Sequence, residues 1–89
     1  MSVELQPTGS VAQMESARAV VSALRVIGHH TAAKGAAVDL ILAWGTTDFQ
    51  TELDAYLRLL RVVHSDSTGQ NQAIILEIFP SLFQEADPT

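Results

Sequence analysis

The sequence predicts an all-α fold, a small up-and-down bundle of about four helices, the last one kinked or broken at Pro80. Three observations predict it. Apolar residues recur at helical spacing through long stretches. Breaks carrying glycine or polar residues (Gly28-His29-His30, Gly45 to Asp48, and His64 to Gln72) separate those stretches. Helix-start signals, Ser10 with Gln13 and Thr47 with Gln50, stand where two of the stretches begin.

Residues 1–9 read as a tail punctuated by Pro7 and Gly9, residues 10–86 as one helical domain, and residues 87–89 as a frayed end. Ser10 is the expected cap of the first helix. Met14, Ala17, Val20, Val21, Leu24 and Ile27 form its apolar face, and Glu15, Arg18, Ser22 and Arg25 the opposite one. Gly28 is placed to end it.

Thr31 is the expected cap of the second helix, which runs to about Ala43. Ala33, Ala37, Leu40, Ile41 and Trp44 make its main stripe. Ala36, Val38 and Leu42 widen that stripe to most of the circumference. A helix apolar nearly all round is covered on several sides. The small residues from Ala32 to Ala37 make its first half a smooth surface for close packing. Gly35 within it costs about 1 kcal/mol relative to alanine.

Gly45 ends that helix. The third carries Phe49, Leu53, Tyr56, Leu57, Leu60 and Val63 inward, with an Asp54–Arg58 pair on its surface. Leu59 and Val62 lie off the stripe and need a second contact. His64 to Gln72 reads as a loop. Ala73 to Phe79 has residues that suit a strand, but a lone strand has no partner, so a helix is expected. Pro80 disfavours helical geometry at Phe79, and a last turn through Glu85 follows.

Composition narrows the function. The 89-residue chain is one domain, and one this small buries only about 60–65% of its unfolded surface. Charged residues are 17% of the chain, against roughly 25% in typical soluble domains. A surface this poor in charge points to cover by another chain. Net charge is −5, and the five basic residues, Arg18, Arg25, Lys34, Arg58 and Arg61, are scattered. That argues against nucleic acid and against an anionic membrane surface. No run long and apolar enough to span a bilayer is present, and the first ten residues do not read as a signal peptide. With no cysteine, a reducing, cytoplasmic location is expected.

His29, His30 and His64 are the only histidines, and a metal or ligand bundle built on them is one alternative reading. Adjacent His29 and His30 diverge on a helix edge, so no metal and no cofactor are expected. Ser65, Ser67 and Thr68 near His64 and Asp66 lack the scaffold that nucleophilic catalysis requires, so the chain reads as no enzyme.

Trp44-Gly45 stands midway along the chain between apolar helices, and Phe83 and Asp87 are four apart near its end. In these features it resembles the WXG family of small secreted proteins, helical hairpins that turn at Trp-x-Gly. The resemblance implies export and one continuous helix from about Ser10 to Ala43. Here the turn is Trp-Gly, and Gly28-His29-His30 and Ser65 to Gly69 interrupt the two long helices.

The leading expectation is a non-enzymatic interaction module. It would present an apolar helical surface to another copy, as a homo-oligomer, or to another helical protein. Val38, Leu42, Leu59 and Val62 are the expected contact residues. Phe79, Leu82 and Phe83 join them as a hydrophobic hook around Pro80. Acidic residues after Arg61, among them Glu77 and Glu85, suggest a basic partner surface.

Overall fold

The computed structural model describes residues 10–83. The expected tail (residues 1–9), the end of the last turn at Glu85, Asp87, and the frayed terminus lie outside the described residues. Four helices, α1 (Val11–Val26), α2 (His30–Ala43), α3 (Phe49–Asp66) and α4 (Gly69–Ile78), carry 78% of the described residues, and no strand occurs among them.

The α1 start is built as its sequence dictates. Ser10 Oγ accepts from the Gln13 N–H at 3.1 Å, and Gln13 Oε1 accepts from the Ser10 N–H at 3.3 Å. Gln13 also donates to Gln50 Oε1 at 3.0 Å, which ties this cap to the start of α3. Gly28, at φ 96°, takes the left-handed conformation that stops α1. Only three residues, Ile27 to His29, separate α1 from α2.

Two expected caps do not form. The α2 cap position is His29 rather than Thr31, and it makes no side-chain bond. At α3, Thr46 rather than Thr47 does the work. Its hydroxyl donates to the Ala43 carbonyl at 2.7 Å and accepts from the Asp48 N–H at 3.1 Å. Thr46 therefore ties the end of α2 to the turn before α3. The Asp54–Arg58 pair is also absent among the described residues, because Asp54 accepts from Gln50 at 2.8 Å.

The expected loop from His64 to Gln72 shrinks to Ser67 and Thr68. Ser67 Oγ donates back to the Val63 carbonyl at 2.6 Å, and Gln72 Nε2 donates to the His64 carbonyl at 2.9 Å. These side chains bind the backbone where α3 ends and α4 begins, so the polar residues build helix ends rather than a loop.

Ala73 to Ile78 is helix, and α4 stops at Phe79 with φ −132° and ψ 74°, as the following proline requires. The chain then turns and folds back on the core. Arg61 Nε donates to the Leu82 carbonyl at 2.9 Å and holds that turn to α3.

The core is shared among all four helices. Val20, Leu24, Phe49, Leu60, Ile75 and Leu82 are its fully buried large side chains. The α1 and α3 helices each touch all three others, whereas α2 and α4 do not touch. The α1–α2 contact is the most extensive. Both helices bury small residues: Ala17 and Ala23 on α1, and Ala33, Ala36 and Ala43 on α2.

The face of α2 differs from expectation. Ala33, Ala36, Leu40 and Ala43 point inward, while Ile41 is 72% exposed and Leu42 77%. Alanines let α2 lie close to its neighbours, and the branched side chains are turned out.

Candidate functional site

Turning Ile41 outward opens a groove between α1 and α2. It has a volume of about 610 Å³. Buried Ala17, Leu40 and Phe49 lie beneath it, and Val21, Ser22 and Ala37 are half-buried along it. Met14, Ile41 and Trp44 stand exposed at its sides. Trp44 meets Phe49 edge to face, with ring centroids 5.1 Å apart, and this contact fixes the indole at one end of the groove. The fixed geometry comes from Gly45, at φ 81°, which turns the chain immediately after Trp44.

Arg18 and Arg25 complete the lining from α1. Both are exposed, and neither has an ion-pair partner among the described residues. No acidic side chain lines the groove. In a chain of net charge −5, two of the five basic residues thus share one edge of one apolar cleft. Its contents favour an apolar body carrying negative charge on the α1 side. It holds no nucleophile–base pair.

The expected contact residues are split. Val38 and Leu42 are exposed on α2 but do not line the groove; Leu42 stands instead with Asp39, Thr46 and Asp48 near the turn before α3. Leu59, Val62 and Phe83 are exposed elsewhere on the molecule. Phe79 and Leu82 are buried, at 7% and 1% exposure, which corrects the reading of them as partner contacts. The break before Pro80 turns the chain back onto the core, where Arg61 of α3 holds the Leu82 carbonyl, so only Phe83 of that hook remains on the surface. Its ring lies edge-on to His64, 4.9 Å away.

The histidines do not converge. His29 and His30 are exposed at the α1–α2 junction, while His64 sits in the last turn of α3 with Nε2 buried and unbonded. Among the described residues, no three histidine, cysteine or carboxylate side chains are placed to hold a metal ion. The continuous helix implied by the WXG resemblance is also overturned. Gly28 breaks the chain, and α1 and α2 fold side by side.

Sequence reasoning placed Met14, Ile41 and Trp44 in the core and assigned Arg18 and Arg25 to an ordinary polar face. The available signal was Arg18, Ser22 and Arg25 recurring on one edge beside Met14 and Val21. No protein-family model matches the chain, and no curated protein or solved structure is significantly similar to it. No described helix is long and apolar enough to cross a membrane.

Proposed function

We propose that this chain is a non-enzymatic protein–protein interaction module, acting in the cytoplasm, that seats a helical segment in the α1–α2 groove. The segment belongs to a second copy or to another helical chain. One observation carries this reading: Ile41, Trp44 and Met14 stay exposed around an apolar cleft of about 610 Å³. A small domain gains stability by burying such side chains at roughly 25 cal/mol per Å² of apolar surface, so leaving them in water is a cost that a bound helix would remove.

The test uses Trp44, the only tryptophan. Sedimentation equilibrium from micromolar to millimolar concentration would follow self-association, and Trp44 emission would follow cover of the groove. A blue shift on self-association or on adding an amphipathic helical peptide is expected, and Ile41→Glu should remove it while leaving helix content unchanged. A folded monomer whose Trp44 emission responds to neither would overturn the proposal.

A further inference from the structure

We infer that the occupant of the groove is an amphipathic helix of another protein with carboxylates seven residues apart along one edge. This inference rests on the interaction reading and names the chemistry of its partner. Arg18 and Arg25 are themselves seven residues apart on α1, which places them about 10.5 Å apart along the helix axis. A helix lying along the groove presents residues i and i+7 on one edge at the same spacing. Two carboxylates there meet two guanidinium groups, each a planar fork suited to a carboxylate. Residues on one side of that edge, at i+1, i+4 and i+8, face the apolar floor.

The other side of the groove sets a second requirement. It carries Ile41 and Trp44 and no charge, so the edge of the partner facing α2 is apolar. From Met14 to Arg25 the groove follows α1 for about 16 Å, or three turns of a bound helix. A second copy fits this seat less well. Two such grooves pressed face to face would bring four arginines into one interface, and like charges in an interface oppose association.

Three synthetic helical peptides of about three turns test the inference. They share one leucine face and carry glutamate, glutamine or lysine at i and i+7. Binding is read by Trp44 emission and by calorimetry. The glutamate peptide is expected to bind at least about tenfold more tightly than the glutamine peptide, and the lysine peptide more weakly still. Against R18E/R25E protein the order of glutamate and lysine peptides should invert. Both sites are exposed, so circular dichroism should show the variant folded. Equal binding of all three peptides would overturn the acidic-partner inference and leave the interaction module standing. If no peptide binds, whether because Trp44 responds only to protein concentration or only to a fatty acid such as dodecanoate, the acidic helix is refuted. The first of those results would keep self-association as the function, and the second would replace both readings with lipid binding.

Discussion

Tyr56 makes the one strong polar contact between α2 and α3. Its hydroxyl donates to Asp39 Oδ2 at 2.6 Å. That hydrogen bond to a carboxylate holds the proton on the phenol, and burial and the negative charges of Asp39 and Glu52 act the same way, so the phenol is pushed up from 10.0 to about 12. The folded state therefore binds this proton more tightly than the unfolded state does. Its contribution to stability is fully present below pH 10 and is lost as pH rises through about 12. Tyr56 is the only tyrosine, so an absorbance titration of the phenolate reports it alone. A midpoint near 10 in the folded protein would show that the Asp39 bond is not made in solution. Tyr56→Phe should lose the part of the alkaline destabilisation that this group contributes. Leu82 is the second decisive residue. It is 1% exposed while its neighbour Phe83 is half exposed. Leu82→Ala is expected to cost about 2–5 kcal/mol in denaturant unfolding, and Phe83→Ala clearly less. Equal costs would mean that the turn after Pro80 does not pack as described. The sequence around Pro80 holds two phenylalanines and a leucine with no period to sort them. Which of them enters the core depends on how far the chain turns after α4, and that is a tertiary fact.

At the scale of the element, the number, type and approximate limits of the helices were legible, because Gly28, Gly45 and Pro80 punctuate periodic apolar runs. The orientation of α2 was not. When a helix is apolar nearly all round, periodicity cannot rank its faces, and volume decides instead. Ala33, Ala36 and Ala43 permit the close approach to α1 and α3 that Ile41 and Leu42 would prevent, and so the groove follows from the small residues rather than from the large ones. The caps show a similar limit. Ser10 with Gln13 closes as its spacing requires. Thr47 with Gln50 does not, because Thr46 is already bonded to both sides of the turn. Gly35 gives the element its prediction. It lies inside α2, and a methyl group added there would meet only Tyr56 Oη, at an ordinary contact distance of 3.7 Å. Gly35→Ala should then stabilise the protein by about 0.5–1 kcal/mol, raising Tm by about 2–8 °C in calorimetry. A lower Tm would mean that α2 and α3 lie closer at this point than the 3.7 Å contact allows.

Across the whole molecule, α1 and α3 form the central pair. A symmetric up-and-down ring would give every helix two neighbours, but here α1 and α3 also meet across it, so each reaches all three others, while α2 never meets α4. Chain order alone does not reveal this, since the same four helices and short turns serve either arrangement. The consequence is uneven stability. The α1 helix buries Ala17, Val20, Ala23 and Leu24, whereas the ten residues of α4 bury Ile75 alone and have no side-chain cap. Elements with few buried contacts open at lower free energy than the global transition. Native-state hydrogen exchange should therefore find the slowest amides between Val20 and Leu24, with Asn71 to Ile75 exchanging through a smaller opening. Because α4 does not touch α2 and lines no part of the groove, Ile75→Ala should deepen that opening without changing Trp44 emission. A helix bound between α1 and α2 should slow exchange in those two elements first. Exchange of α4 in step with α1, at the same free energy and denaturant slope, would refute the uneven stability and make the domain one cooperative unit.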